Sequence, residues 1–66
     1  MAIYEFHFFD AADRRPYIDF FDGETDAAAV HAAVKGLEQH ASCVGVDIRQ
    51  GDQLVARMTR PKADTV

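Results

Sequence analysis

Sixty-six residues with a net charge of −4, a 48% apolar share and one cysteine describe a single domain that cannot close a disulfide within itself. No apolar run nears the roughly 20 residues of a membrane span. No basic stretch followed by an apolar one marks a signal peptide, and the acidic balance argues against general nucleic-acid binding, which wants a basic face.

The first run, Ile3 to Phe9, sets Tyr4, Phe6 and Phe8 at period two, a strand pattern. A second run, Tyr17 to Phe21, follows a short polar link ending in Pro16, which is tolerated at a strand start. The two read as a hairpin. With Asp10 opposite Pro16, Phe8 faces Ile18, Phe6 faces Phe20 and Tyr4 faces Asp22, so the apolar residues share one face. The other face then pairs Phe9 with Tyr17, His7 with Asp19 and Glu5 with Phe21.

Asp22-Gly23-Glu24-Thr25-Asp26 reads as a turn into a helix, with Thr25 as N-cap and Asp26 against the helix N-terminus. The helix is expected from Asp26 to about His40. Ala27, Val30, Val34, Leu37 and Ala41 form its apolar stripe. Gly36 costs about 1 kcal/mol relative to alanine in a helix interior. With Ala32 it makes a small-x-x-x-small pair that admits a close neighbour, although a tolerated glycine is an equally simple reading. Val44, Val46 and Ile48 alternate next, as do Leu54, Ala56 and Met58. Gln50-Gly51-Asp52 joins them as a hairpin loop, with Arg49 facing Gln53, Ile48 facing Leu54 and Val46 facing Ala56. Residues 1–60 are expected to form the domain. Residues 61–66 form a flexible C-terminal tail, and the loss of apolar period already begins at Arg60. The fold class is α+β, in the order β-β-α-β-β, with one helix on a four-stranded, mainly antiparallel sheet. Strand orders 2-1-3-4 and 1-2-4-3 both satisfy it.

A solvated sheet face should be polar. In the register above, the outer face of the first hairpin carries Phe9, Tyr17 and Phe21, with Ile3 at its edge. Contiguous apolar patches of that kind mark interfaces. Chains of this size need a staple, and a partner subunit is the one this sequence leaves open. We therefore expect a homodimer through Ile3, Phe9, Tyr17 and Phe21, with another protein as the alternative partner. The lone thiol, Cys43, fits a reducing and hence cytoplasmic setting. Residues 1–34 hold seven acids against two arginines, and residues 35–66 four acids against five bases, an asymmetry that fits head-to-tail contact and a plain solvated surface equally well.

Chemistry is thinly represented. His7 and Asp19, as cross-strand neighbours, resemble an acid–base pair, but an ordinary charge pair explains them equally. Asp19, Asp22, Glu24 and Asp26 crowd the turn before the helix without the glycine and glutamate positions of a calcium loop. His40-x-x-Cys43 has ligand-like spacing but lacks the second pair a zinc site needs. No cofactor and no catalytic residue are expected. Arg57, Arg60 and Lys62 make a thin basic patch.

Tyr4-Glu5-Phe6-His7, Asp10, Asp19 with Gly23, and Ala27-Ala28-Ala29 together resemble a group of short, uncharacterised bacterial proteins common in alphaproteobacteria. The likeness covers about residues 4–37 and implies no particular activity. The hairpin, the acidic glycine-containing turn and the Thr25-to-Ala29 helix start also resemble the HicB-like antitoxin domain. That likeness implies a partner-binding domain, partly RNase H-like, that is not itself a nuclease. The function expected from the sequence is a bacterial module that works by association and not by catalysis; the alternatives are a HicB-like partner-binding domain and a small ligand- or metal-binding domain using His7 and Asp19 or the acids from Asp19 to Asp26.

Overall fold

Alternation makes Tyr4, Phe6 and Phe8 the ridge of a central strand. In the computed structural model, which describes residues 2–60, that strand is β1 (Ala2–Phe9). It lies between β2 (Tyr17–Gly23) and β3 (Gly45–Gln50), with β4 (Gln53–Thr59) outside β3. The one helix among the described residues, α1 (Asp26–Gln39), crosses from β2 to β3 over one face. All neighbouring strands are antiparallel, in the order β2-β1-β3-β4, the first of the two orders open to the sequence. The fold is α+β, β-β-α-β-β. No helix among the described residues is long and apolar enough to cross a membrane. Residues 61–66, the expected tail, lie outside the described residues.

The first hairpin is one residue out of the expected register. Phe8 pairs with Tyr17, Phe6 with Asp19 and Tyr4 with Phe21. The turn decides this. Asp10 Oδ1 accepts the backbone N–H groups of Ala12 and Arg14, each at 2.9 Å, and the Asp10 N–H donates to the Arg14 carbonyl at 2.9 Å. Asp13 takes a positive φ of 64°, a conformation aspartate tolerates better than most residues. The tight turn thus closes on Asp10 and Arg14 instead of spanning to Pro16, and loop geometry sets hairpin register. The strand itself raises little objection. Because both runs carry a Phe-Phe doublet, either register turns one phenylalanine of each pair toward the helix.

The second hairpin differs too. Gln50 pairs with Gln53 across a two-residue turn whose first residue, Gly51, takes φ 62°. A bulge at Ile48/Arg49 then brings Ile48 opposite Ala56 and Val46 opposite Met58. Leu54 consequently pairs with Arg49 on the outer face.

The core lies between the sheet and the helix: Tyr4, Phe6 and Phe8 of β1, Val46 and Ile48 of β3, Ala29, Ala33 and Leu37 of α1, and Cys43. Full burial of each large side chain is worth about 2 kcal/mol. Of the expected stripe, Leu37 is in the core and Val30 packs against it, but Val34 stays exposed while Ala29 and Ala33 are fully buried. The aromatic ridge dictates this choice, because rings filling the layer from the sheet side leave room mainly for small residues opposite, with Leu37 the one large side chain of α1 that is buried. Gly36 is the point of closest approach. A Cβ there would stand 2.8 Å from Phe8 Cζ. Phe8 is fully buried, edge-on to Phe6 and tilted against His40, so its ring has nowhere to retreat. Gly36→Ala should gain about 1 kcal/mol in helix propensity and lose about 1–3 kcal/mol to overpacking. We expect a net destabilisation of about 1 kcal/mol in urea unfolding; a stabilised variant would mean the Phe8 contact is slack.

The helix ends are held differently. Thr25 caps the N-terminus as expected, its Oγ1 accepting the Ala28 N–H at 3.1 Å. Asp26 has a role the sequence did not disclose: its Oδ1 accepts the buried Tyr4 hydroxyl at 2.7 Å. That hydrogen bond, with desolvation and the nearby carboxylate charge, raises the Tyr4 pKa. No basic residue occupies the helix's last turn. Arg60 supplies the missing cation from the far end of the chain. Its Nη2 contacts the carbonyls of Leu37 (2.6 Å), Cys43 (3.1 Å) and His40 (3.2 Å), and its Nε donates to Cys43 O at 3.2 Å. Arg60 therefore belongs to the packed structure, against the expectation of a loose start to the tail.

Candidate functional site

The one-residue shift turns the β2 members of the expected interface, Tyr17 and Phe21, to the other face. β1 residues Ile3, Glu5, His7 and Phe9 face away from the helix, opposite Asp22, Phe20 and Ile18 of β2. Tyr17, Asp19 and Phe21 turn to the helix side instead. Three of the four expected interface residues are placed otherwise than expected. Phe21 packs against the core and stacks on Phe6 at 5.7 Å between ring centroids. Tyr17 stacks on His40 at 4.2 Å, with rings 16° from parallel. Phe9 keeps its outward position but is covered, at 8% exposure. Only Ile3 remains an exposed outer-face residue as expected.

Phe9 is covered from within the chain. Across the ladder it meets Gly45, whose absent side chain leaves room for the ring; a Cβ there would also stand 2.8 Å from Met58 O. The guanidinium groups of Arg15 and Arg57 lie 5.5 Å and 5.0 Å from the ring centroid. Both arginines converge on Asp47, the one buried charged side chain among the described residues. Arg57 engages it through Nε (2.5 Å) and Nη2 (2.9 Å), and Arg15 through Nη1 (3.0 Å). The Arg57 hydrogen bonds, opposed by burial and seconded by Arg15, hold the Asp47 carboxyl below the usual aspartate range. The same contacts raise Arg57. Arg57 and Arg60, two members of the thin basic patch, are thus both engaged inside the fold, and Lys62 lies outside the described residues.

The expected His7/Asp19 pair is not formed. The two side chains lie on opposite faces of the sheet, because the register shift pairs His7 with Ile18. His7 Nε2 instead meets Glu5 Oε1 at 2.9 Å on its own strand. Asp19 approaches His40 Nε2 at 3.9 Å. His40 ends the helix wedged between Tyr17 and Phe8. Of the acids around the turn, Asp26 is committed to Tyr4 and Asp19 faces His40. Among the described residues, no three His, Cys, Asp or Glu side chains are grouped to hold a metal ion.

What remains open is apolar. Ile3 (54% exposed), on β1, and Ile18 (50%) and Phe20 (70%), on the edge strand β2, lie on the outer face of the hairpin. Neither Ile18 nor Phe20 stood on this face in the expected register. The signal that could have placed them was Asp10-x-x-Asp13, a turn sequence able to fix a short loop. A separate groove of about 420 Å³ opens between α1 and the end of β4, lined by Val34, Leu37, Glu38, Met58, Thr59 and Arg60. Its walls are mostly apolar, and it offers no convergent set of polar groups. No protein family, curated protein or solved structure matches the chain.

Proposed function

We propose that this protein is a small, non-catalytic bacterial module that acts by self-association through the outer side of its N-terminal hairpin. The observation that carries this reading is the pair of exposed apolar side chains Ile18 and Phe20 on the edge strand β2, with exposed Ile3 on the same face of the adjoining β1. Apolar surface clustered at an edge strand is a liability for a monomer and an asset for an oligomer. The small core supports the same reading, since a partner subunit supplies burial that a short chain lacks. The buried, solitary Cys43 is in keeping with a reducing cytoplasmic location.

Phe20→Asp tests it. The side chain is among the most exposed apolar groups of the fold, so the substitution leaves the core intact. We expect a parent dimer in light scattering and a Phe20→Asp monomer of about 7.3 kDa with an unaltered circular dichroism spectrum. Equal masses for the two proteins would refute the role of this face.

A further inference from the structure

We infer that the second copy joins edge to edge, β2 pairing antiparallel with β2 of its twin about a twofold axis at Asp19, to give one continuous eight-stranded sheet. The inference rests on the self-association reading and gives it a geometry. Its starting point is that β2, like β4 at the other edge, has a neighbour on one side only, and that of the two β2 carries the more exposed large apolar groups, Tyr17, Ile18 and Phe20 against Leu54 alone. Moreover, the exposure of β2 is two-sided. Ile18 and Phe20 are open on the outer face, while Tyr17 is 42% exposed and the Asp19 side chain 61% exposed on the helix side. A subunit packed on the outer face would cover the first pair alone. A strand added at the edge flanks both faces and satisfies the free backbone groups.

Symmetry then selects the register. A twofold axis perpendicular to the sheet keeps outer side chains beside outer side chains, so paired positions share parity and the axis passes through a residue. An axis at Ile18 sets Phe20 against Pro16, which has no N–H to donate. An axis at Phe20 sets Ile18 against Asp22, and Asp19 against Phe21. An axis at Asp19 pairs Ile18 with Phe20 on the outer face and Tyr17 with Phe21 on the helix face, each on both sides of the axis. Cross-strand aromatic and aliphatic pairs of this kind are the favourable unit of sheet pairing. Pro16 then falls just beyond the start of β2, against Asp22 at each end of the ladder, and inside the ladder the one mismatch is Asp19 against its own copy, each carboxylate keeping its imidazole neighbour, His40, 3.9 Å away.

That mismatch makes the geometry testable. Asp19→Asn removes a like-charge pair at the centre of the interface. It should tighten the dimer roughly threefold in sedimentation equilibrium, about the worth of one unfavourable cross-strand charge pair. In a Cys43→Ala background, Asp19→Cys should oxidise to a 19–19 disulfide, because directly paired Cα atoms lie about 4.5–5.5 Å apart, within disulfide range. A parent dimer that Phe20→Asp still dissociates, with Asp19→Asn no tighter and no 19–19 disulfide, would overturn the edge geometry and leave the self-association reading standing. A monomeric parent that dimerises only as Asp19→Asn would identify the carboxylate as a guard against pairing and overturn both. A parent and an Asp19→Asn variant that are both monomeric would also end both.

Discussion

Arg60→Ala is expected to lower the melting temperature by about 10–20 °C, from a loss of about 2–3 kcal/mol. The side chain reaches the carbonyls of Leu37, His40 and Cys43 together, at the end of a helix with no basic residue in its last turn. Truncation strips the charge-assisted donors from partly buried acceptors and removes the only cation among the described residues at the negative end of the helix dipole. Because Arg60 follows β4 and the helix end precedes β3, the clamp also fastens chain segments remote in sequence. Arg60→Lys should recover part of the loss, since an ammonium supplies the charge without the planar fork. Thermal unfolding followed at 222 nm reads the series. An Arg60→Ala melting temperature within a degree or two of the parent would show that water replaces the clamp at no cost.

Asp47→Asn carries the second large effect, a destabilisation of about 2 kcal/mol. Breaking a fully buried ion pair costs more, but Arg15 and Arg57 are partly solvated and regain water when the carboxylate is lost. Acid should reveal the same group. An unfolded aspartate takes up its proton near pH 3.9, whereas the folded Asp47 holds its charge to lower pH, chiefly through Arg57. Its contribution is therefore complete above about pH 4 and is lost as the pH falls through the lower folded value. Asp10 is depressed in the same direction by the backbone N–H of Arg14, so the first turn loosens over the same acid range. Asp47→Asn should flatten the decline of stability below about pH 4. An acid profile parallel to that of the parent would contradict this account of the outer face.

Much of the architecture is legible in the residues. The period-two aromatics of β1, the Thr25 cap, the helix limits and the glycine turn after β3 all follow from local chemistry, and the structure has them. Register is the point of failure, and for a physical reason. Periodicity can choose between strand faces only when one face is clearly worse, and the doublets Phe8-Phe9 and Phe20-Phe21 offer an aromatic to either face. The decision passes to Asp10, whose side chain closes the turn. A single residue of slip then sends Phe21 inward, Phe20 outward, and His7 and Asp19 to opposite sides.

The covered state of Phe9 has a similar origin. Its partners Arg15, Asp47 and Arg57 come from a loop and two strands, and long-range convergence of that kind leaves no spacing to recognise. The helix stripe shows the limit of hydropathy ranking. Valine outranks alanine by apolarity, but the ridge of rings on β1 leaves space for Ala29, Ala33 and Gly36. An exposed apolar hairpin was legible in kind though not in membership, because any register of two such strands leaves some large apolar group outside.

Sedimentation equilibrium of the unmodified chain over a dilution series from high to low micromolar tests the central claim most directly. Self-association predicts a weight-average mass that approaches twice 7.3 kDa at high concentration and falls toward 7.3 kDa on dilution. A mass of 7.3 kDa at every concentration would contradict it.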